Sequence, residues 1–146
     1  MPIPKRIVEL DIEDYPSVQK LWKAADLSFR PIGRDDPETI SKQLSSGLVT
    51  MLGIRHNEGL IAVIMLSHDG RKGWVNRLAV EPQFRSKGLA KQLLKEAENF
   101  FFSRGIMVYS ALVFRDNLPS RKLFEECGYI EDPDIIYYSK RVSQDV

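Results

Sequence analysis

A chain of 146 residues, 43% apolar and 28% charged, amounts to one domain with enough apolar content for a real core. Its formal net charge of +1 excludes recognition of nucleic acid or an anionic membrane through bulk charge. The single cysteine, Cys127, forms no internal disulfide, no Cys/His cluster is spaced for a metal, and no apolar run approaches the roughly 18 residues of a spanning helix.

Residues 1–6 lack the apolar core of a signal peptide, so the expectation is one cytoplasmic domain over residues 1–146. No repeat or Pro/Gly/Ser-rich linker divides it. A short strand is predicted over 7–10. Asp14 is a candidate cap for a helix with Pro16 in its first turn and Val18, Leu21, Trp22 and Ala25 as its buried stripe. A polar loop over 28–35 leads to a second helix that opens at Asp36-Pro37-Glu38 and stops at Gly47. Strands over 48–55 and 60–67 join through Asn57-Glu58-Gly59, and the second is apolar throughout, as a central strand covered on both faces should be. Asp69-Gly70 turns the chain into a fourth strand over 74–80. The longest helix, 88–104, buries Ala90, Leu93, Leu94, Ala97, Phe100 and Phe101, while Phe102 falls near its polar side as a candidate homodimer contact. A fifth strand over 106–113 follows. Asn117 then caps a helix that carries Pro119 and stops at Gly128, and a last strand is predicted over 135–142. This order predicts an α/β mixed sheet with helices on both faces.

The segment Leu78-Ala-Val80-Glu-Pro82-Gln-Phe-Arg85-Ser-Lys-Gly88-Leu-Ala90 carries the most chemistry. An apolar strand ends, a proline breaks it, and a basic, glycine-bearing turn opens a long helix. The first N–H groups of a helix have no internal partners and carry about half a positive charge through the helix dipole. Gly88 and Ala90 let a ligand approach the backbone, and Arg85, Lys87 and Lys91 add fixed charge. Those are the requirements of a diphosphate cradle, although a solvated basic helix start has the same composition. Neither G-x-x-x-x-G-K-[ST] nor a G-x-G-x-x-G after the first strand is present.

Arg85-x-x-Gly88-x-Ala90, the preceding Leu78-Ala79-Val80-Glu81-Pro82, and Asn117-Leu-Pro-Ser120-Arg-Lys-Leu123-Phe124-Glu125-Glu-Cys-Gly128-Tyr129 together resemble the motifs of the GCN5-related N-acetyltransferase (GNAT) family. The resemblance implies a central, mostly antiparallel six- to seven-stranded sheet flanked by about four helices and splayed between strands 4 and 5. It implies acetyl-CoA as co-substrate, without a metal. Leu78, Ala79 and Val80 would line the pantetheine arm, with the Leu78 amide as oxyanion donor. Arg85, Ser86, Lys87, Gly88, Leu89, Ala90 and Lys91 would surround the diphosphate, and Asn117, Ser120 and Phe124 would also meet the coenzyme. For Asn117, a plain helix N-cap is an equal reading.

The chain departs from the family where protons move. The tyrosine acid falls at Phe124 and the glutamate base of histone-type members at Trp74. Tyr109, Ser110, Tyr137, Tyr138, Asp69 or water remain as substitutes, each tyrosine being equally a packed sheet residue. Cys127 has no histidine near it in sequence, and His68 beside Asp69 could face an acceptor. The resemblance places the acceptor groove at the 28–35 loop and the last strands. There Arg30 and Arg34 suit a carboxylate or phosphate and Asp35 an ammonium, with Trp74, Asn76 and Tyr137 near them. Period two would put Trp74 and Asn76 on one strand face with Leu78 and Val80. The expected function is acetyl transfer from acetyl-CoA to a primary amine, on a small molecule, a peptide or a protein, by direct attack on the thioester. The alternative is a catalytically weak acyl-CoA-binding sensor.

Overall fold

The computed structural model describes residues 6–57, 59–144 and 146. Strands β1 (Arg6–Glu9), β2 (Thr50–His56), β3 (Gly59–His68), β4 (Gly73–Val80) and β5 (Tyr109–Ala111) form one sheet in chain order. The first three pairings are antiparallel. The β4–β5 pairing is parallel, because helix α3 (Leu89–Phe102) supplies the crossover a parallel pair requires. Helices α1 (Tyr15–Ala24) and α2 (Pro37–Ser46) cover one face, and α3 with α4 (Leu118–Glu126) the other.

Strand β3 is central, as its unbroken apolar run predicts. Ala62, Ile64 and Leu66 pack under α3, and Val63 and Met65 under α1. Asn57, at φ 57°, begins the turn between β2 and β3, and Glu58 of that turn lies outside the described residues, as do residues 1–5. Asp36 caps α2 by accepting the N–H groups of Glu38 and Thr39. Asp14, expected to cap α1, makes no such cap. Asp11 caps a 3₁₀ turn one step earlier, and Asp14 serves it by accepting the Asp11 N–H at 3.0 Å while pairing with Arg55 at 2.5 Å.

Two expectations for strands are corrected. The segment 135–142 forms no strand, so the sheet has five strands among the described residues rather than six or seven. Strand β5 is three residues long where eight were expected, because only Tyr109–Ala111 meets β4.

A third correction bears on the site. Val63 pairs with Ala79 and Met65 with Asn76, so Ile64 alone faces the two residues Arg77 and Leu78. One extra residue on one strand is a β-bulge, and it shifts the side-chain alternation by one. Before it, Val75 points to the α3 side while Trp74 and Asn76 oppose Ser67 and Met65 on the α1 side. After it, Leu78 and Val80 pack against the α3-side core and Ala79 against the α1-side core. Trp74 and Asn76 therefore do not share a face with Leu78 and Val80.

Arg77 occupies the bulge at φ 47°, a left-handed position where a side chain costs roughly 1–2 kcal/mol and glycine is the usual occupant. What holds it there is Asp35, the one buried charged residue described, at 3% exposure. Arg77 donates to both carboxylate oxygens of Asp35, at 2.5 and 2.7 Å. Its guanidinium also lies 4.8 Å from the Trp22 ring centroid. The Arg30 N–H donates to Asp35 Oδ2 at 2.6 Å, and the Tyr15 hydroxyl to the Asp35 carbonyl at 2.6 Å. The loop before α2 is thereby tied to the bulge of β4.

Asp35→Ala should leave Arg77 charged and unpaired on a strained backbone, lowering stability by about 3–5 kcal/mol in urea denaturation. Gly73→Ala should cost about 1–3 kcal/mol without changing the denaturant slope, because its Cβ would meet the buried Phe101 ring at 2.8 Å.

Candidate active site

The parallel pairing of β4 and β5 covers only Gly73–Val75 against Tyr109–Ala111. Beyond Val75, the stretch from Asn76 to Val80 has no ladder partner on its β5 side among the described residues. It is a free strand edge opening between two strands that have separated. That edge runs through Glu81 and a 3₁₀ turn (Pro82–Phe84) into the basic loop.

The loop has a defined backbone. Ser86 stands at φ 63° and Gly88 at φ 79°, with Lys87 between them outside the left-handed region. Alternation of this kind turns successive N–H groups toward one side, as in anion-binding nests. Gly88 caps α3 without any side-chain hydrogen bond, and the first helical bond there runs from the Gln92 N–H to the Gly88 carbonyl. The N–H groups of Leu89, Ala90 and Lys91 therefore begin the helix without intrahelical partners. Residues 85–88 are exposed, Leu89 is buried as an anchor, and a Cβ on Gly88 would meet nothing within 4 Å. The site is an open cradle. The larger of the two recesses described, about 360 Å³, lies elsewhere, beside Leu21, His56, Leu60 and Phe84.

The basic side chains differ in their freedom. Lys91 Nζ sits 2.8 Å from Glu126 of α4, and that hydrogen bond holds its ammonium above the usual lysine range. Its charge is thus offset, which the sequence did not show. Arg85 Nε points back to the Val80 carbonyl at 3.4 Å. Lys87 is in none of the ion pairs among the described residues.

Asn117 acts as the N-cap of α4, its Oδ1 accepting the Ser120 N–H at 3.2 Å. Phe124 packs against the α3-side core and edge-on to Tyr129, 5.0 Å between centroids. The Tyr129 hydroxyl donates to Glu98 at 2.9 Å. Burial, then that hydrogen bond to Glu98, pushes its pKa far above the ordinary tyrosine range. Among the substitutes for an acid or base, Asp69 accepts the N–H groups of Arg71 and Lys72, and His68 Nδ1 that of Gly70. Both hold the β3–β4 turn. Tyr109 stacks on Phe101, and Tyr137 and Tyr138 are exposed. Burial raises the Cys127 thiol.

On the acceptor side, Asp35 is committed to Arg77 and does not present a free carboxylate. Arg30 and Arg34 are exposed and absent from the ion pairs described. Trp74 lies under Lys72, whose ammonium is 5.0 Å from its centroid, and Asn76 approaches Ser67 at 3.5 Å. Arg77, which organises this side, went unremarked in the sequence; its only signal was a charge inside a half-buried strand.

No group of three or more His, Cys, Asp or Glu side chains among the described residues could hold a metal, and no described helix is long and apolar enough to cross a membrane. The fold is that of several solved acetyltransferases. The aminoglycoside N-acetyltransferase AAC(6')-Iy in complex with CoA matches with a TM-score of 0.78 at 19% identity, covering 97% of each chain. The PaiA N-acetyltransferase of Thermoplasma acidophilum, in complex with coenzyme A, matches at 0.78 and 23% over 90% of this chain and 94% of its own. A ribosomal-protein-alanine N-acetyltransferase from Brucella melitensis biovar Abortus 2308 matches at 0.71 and 21%, over 94% and 98%. Residues 6–129 match the family model of the acetyltransferase (GNAT) family, in agreement with the two motifs and the split sheet. With most of its length inside that match, the chain belongs to the acetyltransferase (GNAT) family.

Proposed function

We propose that this protein transfers an acetyl group from acetyl-CoA to a primary amine by direct attack on the thioester. The observation that carries the reading is the free edge of β4 beyond the bulge, running into the left-handed Ser86–Gly88 turn at the start of α3. The free edge suits an amide-bearing arm added as a strand, and the turn suits a diphosphate. Leu78 and Val80 would meet the arm, with the Leu78 N–H as donor to the thioester oxygen. The loop amides from Ser86 to Lys91 would hold the phosphates. Related structures solved with CoA support the same donor.

In this scheme the neutral amine nitrogen forms a bond to the carbonyl carbon and the C–S bond breaks. The amine proton leaves to water, and the thiolate departs with an ordinary pKa of about 8.5. Positioning and oriented N–H groups then carry the catalysis. The exposed pair Arg30 and Arg34 favours an acceptor with a carboxylate or phosphate near its amine. The absence of a coupling thiol for Cys127 suits a reducing, cytosolic setting.

Phe124 at the acid position favours one second reading, a sensor that binds acyl-CoA with little turnover. A thiol-release screen with acetyl-CoA against amino acids, polyamines, aminoglycosides and peptides separates them. The enzyme reading expects free thiol with at least one amine, and tight CoA binding without turnover across the panel overturns it.

Gly88→Asp should weaken CoA binding on the order of a hundredfold by calorimetry, through a negative charge against the diphosphate. The fold should survive with thermal unfolding lowered by only a few degrees, because a side chain at this left-handed position costs roughly 1–2 kcal/mol while its Cβ meets nothing. Cys127→Ser should keep kcat, as no acyl-enzyme is involved. With its thiol raised by burial, wild-type Cys127 holds less thiolate at pH 7 than a free cysteine. Alkylation by iodoacetamide should therefore be slow there and should accelerate only above the ordinary thiol range.

A further inference from the structure

We propose that the recess of about 360 Å³ between α1, the β2–β3 hairpin and the turn ahead of the basic loop binds a small zwitterion with an apolar body, a free amino acid of the leucine or phenylalanine kind. The inference does not depend on the acetyltransferase reading. None of residues 85–91 lines this recess, so it is separate from the proposed diphosphate cradle.

The volume falls within the range of about 300–1,000 Å³ usual for small-ligand sites. Three elements from distant parts of the chain make the walls. Leu21 of α1 and Leu60 of β3 belong with the α1-side core, whereas Phe84 of the 3₁₀ turn packs with the α3-side core. His56 of β2 lies edge-on to Phe84, 5.4 Å between centroids, and adds a second ring to the apolar wall. Leu60 and Phe84 are only partly buried. An apolar side chain lodged between them removes surface that the fold alone leaves in water.

The polar groups set the two ends of the occupant. Ser17 and Lys20 line the recess three residues apart on one face of α1. The first turn of α1 carries no acidic residue, and its dipole makes this end positive. Asp14, just before it, is already paired with Arg55. A hydroxyl, an ammonium and a helix start together suit a carboxylate.

Glu81, directly after β4, brings the opposite charge to the same recess. Lys20 and Glu81 do not pair with each other, and neither is in any ion pair among the described residues. Opposite charges that line one recess without meeting are complementary to a molecule that carries both. A carboxylate at Lys20 and an ammonium at Glu81 leave the side chain of an amino acid over Leu60 and Phe84. A simple anion or a simple amine would satisfy one end only.

The full chain is titrated with L-leucine and L-phenylalanine at about pH 6, where α-amines stay charged, and followed by ¹H–¹⁵N NMR. The amides of Lys20, His56, Leu60 and Glu81 should shift, with a Kd of about 1 mM or below. L-Leucinamide lacks the carboxylate and N-acetyl-L-leucine the ammonium, and each should bind at least about tenfold more weakly than leucine. Lys20→Gln should remove the preference for leucine over leucinamide, and Glu81→Gln that for leucine over N-acetyl-leucine. Both variants should keep the circular dichroism of the fold, since neither side chain is buried. No shift at about 10 mM of either amino acid overturns the proposal. So do shifts confined to the loop of Arg30 and Arg34, which would make the amino acid an acceptor. Equal affinities for leucine and its two singly charged derivatives overturn it as well.

Discussion

The contact between Arg77 and Asp35 ties a surface loop to the middle of the sheet. Burying two charges is costly, and such a pair persists only when geometry and further hydrogen bonds compensate. Here the carboxylate accepts both guanidinium branches and the Arg30 N–H, while the guanidinium lies against Trp22. The same pair holds a left-handed arginine at the bulge. The bulge decides which way Leu78 and Val80 point, and the loop decides where Arg30 and Arg34 stand. The two sides of the proposed reaction are therefore positioned by one interaction, although they lie on opposite faces of β4.

Around that frame, most titratable side chains near the site are engaged structurally. Glu126 holds Lys91, Glu98 takes the Tyr129 hydroxyl, and Asp69 and His68 close a turn. Phe124 offers no proton. What remains for chemistry is a free strand edge and oriented backbone N–H groups. A site of this kind works by placement and fixed dipoles, which need no reorganisation during reaction.

The sequence made the helices and the central strands legible because their signals are local. The apolar run of β3, the Asp36 cap, and the glycines at 47 and 88 each carry their conformation within a few residues. The cradle was legible for the same reason, as charge and small residues adjoin a strand end. Three features were hidden because they depend on distant partners. Nothing near Arg77 announces a bulge; its strain is balanced by Asp35, 42 residues away. Asp14 reads as a cap until Arg55 and Asp11 compete for it. Residues 135–142 have strand composition, but a strand exists only where an edge receives it. Period two failed in β4 for the same cause, since one inserted residue is invisible to any rule that assumes even spacing.

That inserted residue is an addition to an otherwise regular strand. Residues 73–76 and 78–80 obey opposite parities, so the strand behaves as two short strands spliced out of phase. Removing Arg77 at the splice would restore even alternation from Asn76 to Leu78, leaving Leu78 and Val80 under α3 and Ala79 under α1 while cutting the tie to Asp35. A deletion at the bulge therefore keeps the downstream faces and instead releases the loop before α2 from the middle of the sheet. The inserted residue is thus a fastening rather than a spacer: what it adds to β4 is a grip on the loop that carries Asp35.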